Sequence, residues 1–292
     1  VRLAASRWRS KIIGTSELMA GNMPLVSKKT KTILPTGSKN RRIVPLLFQG
    51  LVRIGDVLVP PSCPLCRRFL HQQEGICGAC WQHLEFLTGP LCRVTGQPMA
   101  VDLGAETISL AARIRPPPYR MARAAFAYDG SAAALIKRFK FSDRPDLAKF
   151  LAPHMARAGQ EINDPEAVYV PVLLHHWRLL ARRFNQSAEL CRALSALTHY
   201  PVMLNVLRRI RPTRRQIGLN REGRRRNLSG AFAIAAKRAA LIRDKPVILV
   251  DDVLTTGATI EACSRTLLKA GARRVDVLTA ARVVMPEQIR LP

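Results

Sequence analysis

"VILVDDVLTTGATI", residues 247–260, opens as an apolar run, passes two adjacent acids and then turns small and hydroxylic. Residues 247–250 are consecutive aliphatics, the composition of a strand buried on both faces of a sheet. Such a strand does not ordinarily run into two neighbouring carboxylates, because like charges repel and each resists desolvation. Asp251 and Asp252 therefore point to a ligand at the strand end. The turn that follows (Thr255, Thr256, Gly257, Ala258, Thr259) says what kind, since it opens a helix expected to begin near Ile260. Backbone N–H groups at a helix N-terminus, with Thr hydroxyls beside them, cradle a phosphate dianion. Gly257 lets the backbone approach without a Cβ in the way. The acid pair suits a vicinal diol, each carboxylate accepting from a ribose hydroxyl. Diol and phosphate together describe a ribose 5-phosphate. An ordinary capped helix after a βα loop would account for Thr259 but not for the acids.

Working outward, strands and helices alternate from about Arg120. "ARAAFAY" (122–128) reads as a strand, and "GSAAALIKRFKF" (130–141) as a helix with Leu135, Ile136 and Phe139 inward. "PDLAKFLAPHMARAG" (145–159) continues helical, and "AVYVPVLL" (167–174) is a second apolar strand. "WRLLARRFNQSAELCRALSALT" (177–198) is expected to be one long amphipathic helix, with Phe184, Ala188 and Cys191 on one stripe. A helix through "EACSRTLLKAG" and a strand "VDVLTAARV" follow the opening stretch. This order predicts an α/β fold, a parallel sheet flanked by helices, with ligands at the carboxyl ends of the strands.

The chain has 292 residues, 48% of them apolar, enough for a substantial core in one or two domains. Its 47 Lys and Arg against 20 Asp and Glu give a net charge of +27. That excess suits phosphates, nucleic acid or anionic membrane surfaces, and equally an Arg-rich proteome. No apolar run approaches 20 residues, so no membrane span is expected, and with no sign of secretion the expected compartment is cytoplasmic. Residues 1–42 are basic and without periodicity, the pattern of a solvated tail or of a start placed too early, given Met19 and Met23; a transit peptide is the alternative. Residues 43–59 place Leu47, Leu51, Ile54 and Leu58 at helical spacing and open a segment, 43–119, that carries the cysteines and a linker. The domain built on the opening motif spans 120–284, with a short tail over 285–292.

"CPLCRRFLHQQEGICGACW" sets Cys63, Cys66, Cys77 and Cys80 in two CxxC pairs separated by ten residues. Each pair lets two thiolates converge on one tetrahedral ion, and two pairs complete a closed structural zinc site. Disulfides or a redox dithiol are the alternatives; redox CxxC motifs normally occur singly. Cys191 and Cys263 fall in helical apolar patterns and read as core residues.

Beyond these motifs, the chain resembles the ComF/GntX family, labelled competence protein F or amidophosphoribosyltransferase-like, within the type I phosphoribosyltransferases. The resemblance rests on "VILVDDVLTTGAT", the cysteine module, "AAFAYDG", "LIKRFKFSDRPDLA", "RRFNQSAEL", "RPTRRQIGLNREGRRRNLSGAF" and "GARRVDVLTAARV", covering roughly residues 57–284. It implies that Asp251 and Asp252 hold the ribose diol of 5-phosphoribosyl 1-pyrophosphate (PRPP) and that Thr255, Thr256, Gly257, Ala258 and Thr259 hold its 5-phosphate, with Mg²⁺ accompanying the ligand. Two departures stand out. "LCRVTGQPM" keeps Cys92 but has Thr95 where the family places a second Cys, and the later pair is absent, so a second metal site is expected to be lost. Thr255 stands where some purine-salvage enzymes carry an acid, leaving no obvious general base.

Pyrophosphate needs cations or backbone donors opposite the diol. By the resemblance these come from the loop after the second strand, where Arg178, Arg182 and Arg183 follow His175 and His176, or from 211–227, where Arg214, Arg215 and Gln216 lie among seven Arg residues. A solvated helix face explains the first group equally well, and the second could bind a nucleic-acid backbone. Lys137 and Lys140 read as an exposed face. Two functions follow: a Mg²⁺-dependent phosphoribosyltransferase, or a ligand-binding protein of DNA uptake that contacts single-stranded DNA and the uptake machinery. Aromatics at 5% weaken a stacking platform for single strands.

Overall fold

Four parallel strands carry the core in a computed structural model that describes residues 61–70, 75–141, 144–173, 184–211 and 230–284. The strands in chain order are β1 (Ala122–Ala127), β2 (Val168–Pro171), β3 (Leu207–Arg209), β4 (Phe232–Ile234), β5 (Pro246–Leu254) and β6 (Arg274–Arg282). The sheet runs β1–β6–β5–β2, all neighbours parallel, while β3 and β4 form a separate antiparallel pair. β5 is thus an interior strand, with Val247 between Val168 and Val275 and Val250 between Pro171 and Leu278. An interior strand covered on both faces has no solvated side, which is why 247–250 are aliphatic without alternation.

The helices are α1 (Gly78–Gln82), α2 (Leu110–Ile114), α3 (Gly130–Phe141), α4 (Leu147–Ala158), α5 (Gln186–Thr198), α6 (Ala236–Ala239) and α7 (Ala258–Lys269). Successive strand residues point to opposite faces and divide the core in two. On one face Tyr169, Ile248, Val250 and Leu278 pack with Phe139 of α3, Leu151 of α4 and Leu190 of α5. On the other, Val168, Val247, Leu249 and Val277 pack with Ile260, Cys263 and Leu267 of α7 and with Leu207 and Phe232 of the hairpin. The result is the expected α/β fold, a parallel sheet covered on both faces, preceded by a small cysteine module. Each fully buried Leu or Ile contributes about 1.5–3 kcal/mol by leaving water.

The helix expected over 177–198 is not continuous. Residues 184 and 185 are not helical, and α5 begins at Gln186 because the Asn185 side chain accepts the Ala188 N–H at 3.1 Å and caps it. Residues 174–183 lie outside the described residues. Near the start of β6, fully buried Asp276 accepts two hydrogen bonds from Arg120 (2.8 and 3.1 Å) and one from Arg274 (3.2 Å), which offsets the cost of burying its charge.

Candidate functional site

The carboxyl ends of the parallel strands share one edge of the sheet, and β5 delivers both acids there. Asp251, half-buried, accepts from Ser187 Oγ at 3.0 Å and from the Asp252 N–H at 2.9 Å, both on Oδ1. Asp252, 9% exposed, pairs through Oδ1 with Lys140 Nζ at 2.8 Å. Ser187 lies in the first turn of α5 and Lys140 in the last turn of α3, so both acids find partners on helices covering the same face. Burial, and then the charge of Asp252, hold the Asp251 carboxyl well above the usual carboxylate range, against the pull of the Asp252 N–H, Lys140 and Ser187. A pair so placed gains from any ligand hydroxyl that donates to it.

Lys140 corrects the sequence reading. Lys137 is exposed as expected, but Lys140 is half-buried and engaged with the acid pair. Its backbone carbonyl also accepts from Gln186 Nε2 at 3.3 Å, tying the end of α3 to the start of α5. The motifs "LIKRFKF" and "RRFNQSAEL" contain Lys140 and Ser187, but no spacing in either announces the contact.

Beyond the acids, the chain turns through Gly257 at φ +81° and enters α7 at Ala258, two residues before the expected start near Ile260. Gly257 is the N-cap, and its left-handed backbone is one that a side-chain-bearing residue adopts at a cost. Gly257 has no side chain to cap the turn, so the first-turn amides of Ala258, Thr259 and Ile260 are the donors that this helix end would present to an anion. A Cβ added at Gly257 would make ordinary contacts with Glu261 Oε1 and Leu254 Cδ1, both at 3.9 Å, so the left-handed backbone and not crowding is what favours glycine here. Thr255 is exposed, and Thr256 and Thr259 are half-buried beside it. Chemically, this edge offers two acceptors for hydroxyls, a cation, and an amide cradle for an anion.

The other candidate cations are not placed. Arg178, Arg182 and Arg183, with His175 and His176, and likewise Arg214, Arg215 and Gln216, lie outside the described residues. The strands on either side of the second group, β3 and β4, pair antiparallel.

In the cysteine module, the sulfurs of Cys63, Cys66, Cys77 and Cys80 all lie within 4.8 Å of one another. A tetrahedral zinc with Zn–S of about 2.3 Å needs sulfurs about 3.8 Å apart. Cys77 immediately precedes α1 and Cys80 sits within it; Cys63 is buried, and its Sγ receives the Cys77 N–H at 3.5 Å. All four thiols are free, so the set fits a closed tetrathiolate zinc. Cys191 and Cys263 are fully buried, as expected of core residues. Among the described residues no helix is long and apolar enough to cross a membrane.

Residues 54–112 match the double zinc ribbon domain family, and residues 210–284 the phosphoribosyl transferase domain family. With the four-cysteine cluster, the first match supports a structural zinc. The chain is 31% identical to competence protein F of Haemophilus influenzae over 227 residues, covering 75% of this chain and 96% of that protein. It is 30% identical to the DNA utilization protein YhgH of Escherichia coli K12, covering 77% and 99% of the two. Identity to the competence protein ComFC of Bacillus subtilis is 28%, over 73% and 86%.

Proposed function

Because the chain belongs to the competence protein F family and carries a phosphoribosyltransferase-type domain, we propose that its sheet edge binds PRPP or a related ribose 5-phosphate and displaces pyrophosphate at ribose C1. The observation that supports this most is the meeting, on one edge, of an acid pair and an uncapped helix N-terminus behind a left-handed glycine. Asp251 and Asp252 accept from the ribose 2- and 3-hydroxyls. The amides of 257–260, with the Thr255, Thr256 and Thr259 hydroxyls, hold the 5-phosphate. Lys140 releases Asp252 as the diol arrives and remains beside the developing negative charge. Asp251 and Asp252 are also hard-oxygen donors of the type Mg²⁺ accepts, and bound Mg²⁺ would neutralise the leaving pyrophosphate. With Thr255 where an acid would serve as base, the acceptor is one that attacks without deprotonation by this loop, such as ammonia.

Calorimetry tests the assignment. Asp251→Asn combined with Asp252→Asn should weaken PRPP binding by about 10²–10⁴-fold, two charge-assisted hydrogen bonds at roughly 1.5–3 kcal/mol each. The double variant also strips Lys140 of its partner, so a thermal melt establishes that the fold persists. 2-Deoxyribose 5-phosphate, which lacks one hydroxyl, should lose less, whereas Thr259→Val should weaken both ligands alike. Equal losses for the two ligands in the acid variant would remove the diol from the acids and leave them a Mg²⁺ site.

A second reading keeps the ligand and drops the turnover: a nucleotide-sensing protein of DNA uptake that touches single-stranded DNA. Two relatives are named for competence and one for DNA utilization, the net charge is +27, and Phe69 stands 77% exposed beside the exposed Arg67 and Arg68. Pyrophosphate release from PRPP, screened across nucleobases and ammonia, separates the readings: release supports transfer, and tight binding without release supports the second.

A further inference from the structure

The double zinc ribbon match implies two metal sites, yet one four-cysteine cluster is present among the described residues. The backbone shows where the other would be. In the first knuckle the Cys63 N–H donates to Arg68 O (2.7 Å), the Arg67 N–H to Cys63 O (2.9 Å) and the Leu70 N–H to Pro61 O (2.7 Å). Around Cys92 the same three bonds recur at the same offsets: Cys92 to Gln97 (2.7 Å), Gly96 to Cys92 (2.7 Å) and Met99 to Pro90 (2.9 Å). An antiparallel bridge closes each loop, Ser62 with Phe69 and Leu91 with Pro98, and each turns through a left-handed residue, Arg67 at φ 63° and Gly96 at φ 67°.

The correspondence continues past the knuckles. Cys77 precedes the five-residue α1 and sends its N–H to Cys63 Sγ at 3.5 Å; Ser109 precedes the five-residue α2 and sends its N–H to Cys92 Sγ at 3.2 Å. One turn on, Cys80 in α1 matches Ala112 in α2. The four zinc positions of the first ribbon thus map onto Cys92, Thr95, Ser109 and Ala112. That set cannot hold zinc: it offers one thiol, two neutral hydroxyls and a methyl.

We infer that residues 90–114 are a second ribbon that has lost its metal and keeps its shape by hydrogen bonds converging on Cys92 Sγ and by docking on the sheet, so that the chain carries one structural zinc. The sulfur receives the Ser109 N–H, the Thr95 N–H at 3.4 Å, and lies 3.5 Å from Ser109 Oγ. Burial pushes the Cys92 thiol up, but the bonds from Ser109 and Thr95 outweigh it and bring it down to about 7, the behaviour of a sulfur wrapped in donors. The domain holds the knuckle from outside. The Ala122 N–H donates to Val94 O at 2.8 Å, Arg123 Nη1 to Arg93 O at 3.1 Å, and Arg282 Nη1 to Thr95 O. The approach is so close that a Cβ on Gly96 would stand 2.5 Å from Ala122 O, a contact that excludes any larger residue there.

Metal stoichiometry on the full chain, purified without chelator, tests this. The wild type should hold one zinc per chain, and Thr95→Cys, Ser109→Cys and Ala112→Cys together should raise it to two, with the thiolate-to-metal absorption of Co²⁺-substituted protein doubling. Cys92→Ala guards against a triple variant that fails to fold: it should keep the full single zinc, whereas Cys77→Ser should lose it. Two zinc ions in the wild type, one in a folded triple variant, or loss of zinc from Cys92→Ala would each overturn the inference.

Discussion

Residues 61–70 with 75–83, and residues 90–114, use one set of backbone bonds to make two modules that are closed in different ways. The first converges four thiols and leaves Cys66 exposed and Cys77 and Cys80 partly so, at a tip that also carries Arg67, Arg68 and Phe69. The second buries Cys92, Ser109 and Ala112 and leans on β1 and β6. A segment of some 25 residues cannot bury enough apolar surface to hold itself, so it needs either a metal or a larger neighbour. The contrast teaches that the metal is dispensable where an adjoining domain takes over the carbonyls and packs the sulfur. It persists where the cysteines stand partly in water, although Leu65, Ile76 and Trp81 of that module also pack against the domain.

The largest expected effect breaks the first module. Cys77→Ser removes one thiolate from a closed site whose metal binding is, in small zinc modules, about 10–16 kcal/mol of folding free energy. Zinc content should fall from one per chain to near zero, and amide exchange over residues 63–84 should become fast. Residues 90–114 and strands β1, β5 and β6 should keep their protection. Loss of protection across both ribbons would show that the second depends on the first and that the domain does not sustain it.

Next in size is Cys92→Ala. It leaves the Thr95 and Ser109 amides without their acceptor inside a buried site, which should cost about 2–4 kcal/mol in thermal or denaturant unfolding. The loss carries a pH signature. The ordinary thiol value is 9.0 and the folded one about 7, so between them the native state holds fewer protons than the unfolded chain. The contribution is fully present above about pH 9 and disappears as pH falls through about 7. The gap between wild type and Cys92→Ala should therefore widen by at most about 2–3 kcal/mol from pH 6.5 to pH 9. A gap that is flat with pH would make Cys92 a plain packing residue.

Much of the fold was legible in the sequence, and the exceptions have physical reasons. Four aliphatics in a row announce an interior strand, because only a strand covered on both faces has no solvated side, and the structure places 247–250 between two neighbours. Two CxxC pairs announce a tetrahedral site because thiolates at that spacing have few other uses. The second ribbon was half legible: Cys92 and Thr95 showed that a site was expected lost, but Ser109 and Ala112 carry no chemistry that marks them as its vacated corners. Lys140 stayed hidden since a lysine one turn from Lys137 has the pattern of a solvated face; its contact with Asp252 depends on where α3 ends over β5. The start of α5 was overrun because apolar periodicity continues through Phe184, although Asn185 is a strong capping residue in its own right.

The smallest effect gives the sharpest reading of how the second ribbon is closed. Ser109→Ala keeps the backbone N–H that donates to Cys92 Sγ and removes just the hydroxyl 3.5 Å from the sulfur. Ser109 makes no side-chain cap bond to α2, so no helix cap is lost with it. A weak thiol–hydroxyl contact of this kind is worth about 0.5–1 kcal/mol, and the freed space in a site 7% exposed is small enough for neighbours to settle over. Denaturant unfolding of Ser109→Ala should therefore show a midpoint shift several times smaller than that of Cys92→Ala, with an unchanged slope. Equal shifts would place the closure on the hydroxyl instead of on the backbone amides. The likeness to the first ribbon, where a backbone amide also points at the buried sulfur, would then be one of shape and not of bonding.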